Sequence, residues 1–417
     1  MKIIYANEEF PTTLTKSLFL AGPTSRTKDV ASWRPEALKI LEDLKYDGIV
    51  FVPEYRDGSQ YETHFGTKPG QFAYYGDQVD WEHRALYMSD QIIVWVPRQM
   101  VAMPALTTNV EFGLWADSGK IVLGTPPTGV HNDYLRSIAD KFFIPRFYSL
   151  RGTLEEALGS IGDGAKRNAG ETTVPLHIWR TKSFQDWHQN QLNVGNRLVD
   201  SKLIFVHRVG KNKQAVFVWA MRVNVFIFKE GRHKTNDPLI ARTDISAVIL
   251  CKPAAQLLDS KIILIREFRN CVSNESGFIW EVPSGSSHNP FTPAEETALA
   301  EVSEEACLEI NPSRLRYIGS RQLAATFSVH HAHVFYAEIT DDEFKYLESQ
   351  DGIPHGTSAY ATDTGEKTFI EIKTVAEILK SDLADWSNVG AILTALLKEN
   401  NFFYHFKESL SYKERSR

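Results

Sequence analysis

Three glutamates in the C-terminal half of the chain have a spacing that could do chemistry. Glu301, Glu304 and Glu305 are three and four residues apart, so they share one face of a helix. Two interpretations are open: a solvated acidic surface, or a site where carboxylate oxygens bind a hard cation. The segment directly follows a glycine-containing loop at the end of a predicted strand, which favours the cation site.

The helix that carries these glutamates is predicted to run from about 292 to 309. Thr292 suits the N-cap, Pro293 suits the first helical position, and Glu295 completes a capping box. An apolar stripe on another side is predicted to face a sheet: Ala298, Val302 and Ala306.

A carboxylate in the N-terminal half, Glu111, follows the start of another predicted helix. One interpretation is structural, with Thr108 as N-cap and Glu111 as the third residue of a capping box. The other is chemical, because a carboxylate in the first turn after a parallel strand lies at the sheet's ligand edge and could attack an anomeric carbon. A second carboxylate must then protonate the departing base, and Glu82 and Asp90 are available.

Alternating strands and helices are predicted to position Glu111. Apolar runs without polar alternation, separated by helical segments, indicate a parallel sheet covered on both faces. The first half is therefore predicted to be an α/β domain with a parallel sheet flanked by helices. Its predicted strands are 18–21, 48–52, 91–96 and 120–123, and its predicted helices include 77–88 and 108–117.

The second half is predicted to be α+β with a mixed sheet. Its predicted strands are 203–209, 215–228, 246–251, 261–267, 333–339 and 368–372. A final helix is predicted at 386–398. The stretch 153–173 is rich in glycine, alanine and charge, and is predicted to connect the two domains.

The glutamate helix resembles the Nudix hydrolase family, whose box reads G-x5-E-x7-R-E-U-x-E-E-x-G-U, where U is a bulky apolar residue. Residues 301–308, EVSEEACL, match its second half with Cys307 in place of glycine. WEVP at 280–283 and REFR at 266–269 are similar to segments of the ADP-ribose pyrophosphatase branch. The resemblance implies an α+β Nudix-type fold in which the three glutamates bind Mg²⁺ or Mn²⁺, polarising a diphosphate and activating water.

The same resemblance implies further site residues and shows departures from the box. Substrate contacts are implied for Arg266, Arg269 and Glu281, and the general base would come from a late loop that holds Glu366 or Glu371. The box departs at three further places: Ala300 stands for its arginine, Thr292 for its first glutamate, and Gly285 is one residue out of register. The departures affect groups that support the metal carboxylates.

The first half resembles the nucleoside 2-deoxyribosyltransferase-like family over roughly residues 17–150. The matching pieces are LFLAGPT at 18–24, SWR at 32–34, QVDWE at 78–82, SD at 89–90, TNVEFG at 108–113 and GK at 119–120. The resemblance implies that Glu111 is a nucleophile and that Glu82 stands where the family has an acid/base aspartate. Gly22 and Pro23 are implied to shape the loop beneath the sugar, with Asn109 among the substrate contacts.

Arg34 has two interpretations, a phosphate contact or a cover for the helix surface. The domains implied by the two resemblances are 1–152, deoxyribosyltransferase-like, 153–173, the linker, 174–240, a strand-rich preface, 241–405, the Nudix domain, and 406–417, a polar tail. Such a preface often forms a dimer interface in the ADP-ribose branch, so a homodimer is expected.

Composition limits the partners. A length of 417 residues suits two domains, and a net charge of −6 gives no general attraction to nucleic acid or anionic lipid. Three distant cysteines without a CxxC indicate a reducing compartment, and no apolar run approaches the roughly 18 residues of a membrane span. We expect a cytoplasmic protein that acts on a small-molecule nucleotide.

The two resemblances together suggest a bifunctional enzyme. One half would cleave or transfer an N-glycosidic bond, and the other would hydrolyse a nucleoside diphosphate-linked compound such as ADP-ribose. An alternative is that the second half senses a nucleotide without turnover and regulates a first half that depletes NAD or nucleotides. A non-enzymatic scaffold is the third hypothesis.

Overall fold

The chain forms two compact units, Met1–Ala241 (unit 1) and Arg242–Arg417 (unit 2). We describe a computed structural model, which covers residues 1–26, 29–57, 72–210, 215–235, 237–287, 289, 291–355 and 367–399. Within these residues, no helix has the length and apolar character needed to cross a bilayer.

Unit 1 is built around a six-stranded parallel sheet with the order β1-β4-β3-β5-β6-β7. The strands are β1 Lys2–Tyr5, β3 Ser17–Ala21, β4 Ile49–Val52, β5 Gln91–Trp95, β6 Ile121–Gly124 and β7 Arg146–Phe147; a short β2, Thr13–Leu14, lies outside this sheet. The helices of this region are α1 Arg34–Asp43, α2 Tyr75–Met88, α3 Leu106–Trp115, α4 Asp133–Lys141 and α5 Leu150–Ile161.

Helices cover both faces of this sheet because alternate strand residues point to opposite sides. Phe19 and Ile92 pack with buried residues of α2, α3 and α4, whereas Leu18 and Ile93 pack with those of α1 and α5. The predicted α/β architecture of the first half is confirmed.

The linker predicted at 153–173 is wrong. Most of its first part belongs to α5, whose Leu154 and Ile161 are buried in the core of unit 1. Its second part contains β8, Arg167–Asn168, which pairs with β2. The glycine and alanine content suggested a linker, although the apolar residues of this stretch have the spacing of a helix.

Residues 174–240 belong to unit 1, so the prediction that they form a preface to the second domain is wrong. A long antiparallel hairpin dominates this segment, and its Trp219 is buried with the ring centroid 5.9 Å from that of Phe184. The elements are α6 Leu176–Trp179, α7 Lys182–Asn193, β9 Arg197–Val209, β10 Ala215–Ile227, β11 Arg232–Lys234 and β12 Pro238–Arg242.

Unit 2 has an eight-stranded mixed sheet, as predicted. Strands β13 and β18 are parallel, and the other pairs are antiparallel. The strands are β13 Ile245–Lys252, β14 Lys261–Phe268, β15 Phe278–Glu281, β16 Ser284–Gly285, β17 Arg316–Gln322, β18 His331–Glu338, β19 Pro354–His355 and β20 Thr368–Thr374. The helices are α8 Ala294–Ala306, α9 Asp341–Glu348, α10 Val375–Lys380 and α11 Trp386–Glu399.

Helices α8 and α11 pack on opposite faces of this sheet. Ala298, Val302 and Ala306 of α8 are fully buried against it, which confirms the predicted stripe. The predicted cap is wrong, because α8 begins at Ala294 without a side-chain cap and the Thr292 hydroxyl lies 2.9 Å from that of Ser287.

Candidate active site

The loop after β3 forms one wall of the candidate site in unit 1. A Cβ on Gly22 would lie 2.3 Å from the carbonyl oxygen of Trp95, so only glycine fits there. The Trp33 indole Nε1 donates to the carbonyl oxygen of Pro23 over 3.2 Å. Gly22 and Pro23 therefore hold a tight loop at the carboxyl end of a parallel strand, where such sheets bind ligands.

Arg34 fixes this loop from inside, so both interpretations from the sequence are wrong. Its side chain is 2% exposed, and its three nitrogens all donate to protein groups. Nε donates to the carbonyl oxygen of Leu20 and Nη2 to that of Gly22, over 3.1 and 2.7 Å. Nη1 donates to Oε1 of Glu54 over 2.6 Å. The guanidinium therefore orients the backbone beneath the site and does not serve as a phosphate contact.

Glu111 lies deeper in α3 than the sequence suggested. The helix begins at Leu106, after Ala105 in the left-handed conformation with φ of 60°. Thr108 is thus the third helical residue and Glu111 the sixth, and no side chain caps the helix. The capping-box interpretation of Glu111 is wrong, and its carboxylate is left for another role.

Glu111 and Glu82 interact electrostatically. Burial is the main reason that the pKa of Glu111 rises from 4.5 to about 8, and the negative charge of Glu82 raises it further. The positive charge of Arg34 opposes this rise. Glu82 accepts a hydrogen bond of 3.0 Å from Nε2 of Gln78 in the same helix. Two carboxylates from α2 and α3, carried near a buried cation, form the centre of the candidate site.

Two further polar residues belong to this neighbourhood and were missed in the sequence. Arg98 is 7% exposed, and its Nη2 donates to Oδ1 of Asn109 over 2.6 Å. Burial lowers the pKa of Arg98. Glu54 is the partner of Arg34. Arg98 lies three residues after the end of β5 and Glu54 two residues after the end of β4, and that position was the signal that could have identified them.

Asp90 is not part of this site. It precedes β5 and therefore lies at the amino edge of the sheet, opposite the loop of Gly22. Its side chain is fully buried and accepts a hydrogen bond of 2.8 Å from Nη2 of Arg167 and one of 2.9 Å from the amide of Ser17. The prediction of a catalytic Asp90 is wrong, because its carboxylate is enclosed in an ion pair away from the ligand edge.

In unit 2, the residues implied as substrate contacts are paired with protein carboxylates. Arg266 Nε donates to Oε1 of Glu371 over 2.9 Å, and Arg269 Nη2 donates to Oε2 of Glu281 over 2.8 Å. These pairs place charged groups at neighbouring positions of β14, β15 and β20. Glu366 lies outside the described residues.

The three glutamates of α8 do not converge. The Ser284 amide donates to Oε2 of Glu305 over 2.9 Å, and a Cβ on Gly285 would lie 2.2 Å from Oε1 of Glu301. Glu304 is exposed. In the parts of the chain covered by the structure, no group of three histidine, cysteine, aspartate or glutamate side chains is arranged to hold a metal ion. Mg²⁺ or Mn²⁺ at α8 therefore stays a prediction.

Comparison with known families places a nucleoside 2-deoxyribosyltransferase-like domain in unit 1. Residues 15–128 match the family model described as "Nucleoside 2-deoxyribosyltransferase like". This range contains Gly22, Glu82 and Glu111, and it ends before unit 2 begins. No curated protein matches the chain. The domain supports a function in glycosyl transfer on nucleosides or nucleotides.

Proposed function

We propose that unit 1 cleaves or transfers the N-glycosidic bond of a nucleoside or nucleotide, with Glu111 and Glu82 as the reacting carboxylates. The observation that carries this proposal is the raised pKa of Glu111, about 8, which results first from burial and second from the negative charge of Glu82. Because two neighbouring negative charges oppose each other, the pair retains one proton at neutral pH. One ionised and one protonated carboxyl group are what a displacement at an anomeric carbon needs.

In the proposed reaction, the proton that the pair retains passes from Glu111 to Glu82, and an oxygen of the ionised Glu111 then forms an ester bond to the anomeric carbon as the bond to the base nitrogen breaks. Glu82 gives its proton to the departing nitrogen. Water or a second base then attacks the anomeric carbon, Glu82 takes the proton released, and Glu111 leaves as a carboxylate. Arg34, which lowers the pKa of Glu111, favours the ionised form that attacks.

The test is mass spectrometry of a panel of nucleosides, deoxynucleosides and NAD incubated with wild type, Glu111→Gln, Glu82→Gln and Glu36→Gln. Glu36 is an exposed glutamate of α1 in the same unit and serves as the matched control. We expect base release by wild type and Glu36→Gln, and a loss of roughly 10²–10⁴-fold for Glu82→Gln. Wild-type rates in Glu111→Gln would refute the assignment, and so would a panel left intact by wild type.

A second proposal concerns unit 2. We propose that it binds and hydrolyses a nucleoside diphosphate-linked compound such as ADP-ribose. The direction of Glu301 and Glu305 toward the backbone of residues 284–285 favours it. The contrary possibility is binding without turnover, with unit 2 acting as a sensor for unit 1.

Hydrolysis of ADP-ribose with and without Mg²⁺ discriminates these possibilities. Glu304→Gln and Glu305→Gln should abolish a hydrolytic activity, whereas Glu296→Gln, exposed on the first turn of the same helix, should retain it. If wild type does not hydrolyse ADP-ribose, turnover is refuted. The sensor hypothesis is then tested by measuring whether unit 2 binds ADP-ribose.

A further inference from the structure

A cavity of about 520 Å³ lies in unit 2 between the sheet and α11. Its volume is within the roughly 300–1,000 Å³ of small-molecule pockets. Apolar side chains from three strands contribute to its walls: Ala247 of β13, Ile318 of β17 and Val334 of β18. Polar side chains, among them Gln322 and Thr394, line it beside these apolar ones, so the cavity can contact both the ring and the polar groups of an organic ligand.

The cavity exists because α11 turns small residues toward it. These residues have helical spacing: Ser387, Gly390, Ala391 and Thr394. The opposite side of the helix fills the core with larger residues, among them Ile392 and Leu396. A Cβ added to Gly390 would meet no atom within 4 Å, so the space beside the helix is open.

An aromatic ring and a cation at the cavity define the ligand that would suit it. Trp386, the first residue of α11, lines the cavity while 90% of its surface is exposed. An exposed indole offers a flat face on which a nucleobase can stack.

Arg321 of β17 also lines the cavity, and its exposed side chain makes no hydrogen bond or ion pair within the portion of the chain that the structure covers. The other charged groups of the lining have partners within the protein. The Asp385 carboxylate accepts from Asn388, and Nζ of Lys398 donates to the carbonyl oxygen of Ile318. Arg321 therefore leaves a positive charge for an anionic ligand.

We propose that this cavity binds a nucleotide, with the base stacked on Trp386 and a phosphate at Arg321. Ser284 of the short strand β16 also lines the cavity, and its amide donates to Glu305 of α8, so one residue at the cavity wall is bonded to that helix. The inference rests on the proposed nucleotide binding by unit 2 and assigns its base and phosphate subsites. Binding there does not require hydrolysis.

Isothermal titration of the full-length protein with ADP tests the proposal, with pyrophosphate and ribose 5-phosphate as probes that lack a base. Gly390→Leu fills the cavity, and leucine suits a helix better than glycine, so the unfolding temperature should not fall. Gly159→Leu is the matched control, since Gly159 is an exposed helical glycine of α5 with equally open space. Trp386→Ala and Arg321→Gln test the two subsites.

We expect ADP to bind wild type and Gly159→Leu alike, and to bind Gly390→Leu and Trp386→Ala at least roughly tenfold more weakly. Arg321→Gln should weaken ADP and pyrophosphate by a similar factor. The proposal is overturned if ADP does not bind, if the probes without a base bind as tightly as ADP, or if Gly390→Leu leaves affinity unchanged. If wild type binds ADP but does not hydrolyse ADP-ribose, the proposal of hydrolysis by unit 2 is wrong and the proposal of nucleotide binding in the cavity stands.

Discussion

Replacing Glu111 by glutamine should stabilise unit 1 at alkaline pH, because the wild-type carboxyl group ionises in an unfavourable place. The unfolded chain ionises Glu111 near its ordinary pKa of 4.5, whereas the folded chain retains the proton up to about 8. Between these values the native state binds more protons than the unfolded state, so its stability falls as pH rises. The pKa difference corresponds to at most about 5 kcal/mol above pH 8.

Glutamine has a similar shape and no charge, so the variant escapes this loss. Chemical denaturation of wild type, Glu111→Gln and the control Glu36→Gln should be compared at pH 5 and pH 8.5. We expect the advantage of Glu111→Gln over wild type to be about 2–5 kcal/mol larger at pH 8.5 than at pH 5. Equal advantages at the two pH values, or a variant less stable at pH 8.5, would show that burial and the charge of Glu82 do not oppose ionisation of Glu111.

Three further predictions concern other parts of the molecule. Asp90→Asn leaves Arg167 with a buried, uncompensated charge and should cost unit 1 about 3–5 kcal/mol in denaturant unfolding, whereas Asp133→Asn, which breaks an exposed ion pair, should cost less than about 1 kcal/mol. An Asp90→Asn protein of normal stability that has lost base release would instead support a catalytic Asp90. Cys307→Gly should stabilise unit 2 by about 1 kcal/mol and raise its unfolding temperature, because Cys307 has a left-handed φ of 49°. A lower unfolding temperature would mean that the contact of 3.1 Å between its Sγ and Nδ1 of His355 contributes more than the backbone strain costs. Base release should decline above pH 8, where the Glu82 and Glu111 pair loses the proton that the departing base requires.

The parallel sheet of unit 1 could be predicted because its strands are short apolar runs, and such runs are informative without knowledge of tertiary contacts. The same holds for the carboxylates, since Glu111 lies on the helix that follows β5 and Glu82 on the helix before it. The role of Asp90 could not be predicted in this way. Its partner, Arg167, is 77 residues away in sequence and becomes its neighbour only in the folded sheet.

Both predicted caps failed for a related reason. Sequence rules for capping depend on where a helix begins, and that point depends on backbone conformation. In α3, Ala105 adopts a left-handed conformation that glycine or asparagine usually occupies, so no residue type marked the start. In α8, the hydroxyl of Thr292 is bonded to Ser287 instead of to the helix. Local side-chain competition of this kind cannot be seen in residue types alone.

The contact between Arg167 and Asp90 also bears on how this protein can be divided. The family match ends at residue 128, yet the carboxylate of Asp90 within it is neutralised by an arginine supplied from beyond that end. A fragment that ends at residue 128 or 152 would retain the buried carboxylate of Asp90 without the positive charge of Arg167. Recombination that moves this deoxyribosyltransferase-like domain onto another protein would therefore have to carry the chain at least through Arg167, and the compact unit that holds both residues extends to Ala241.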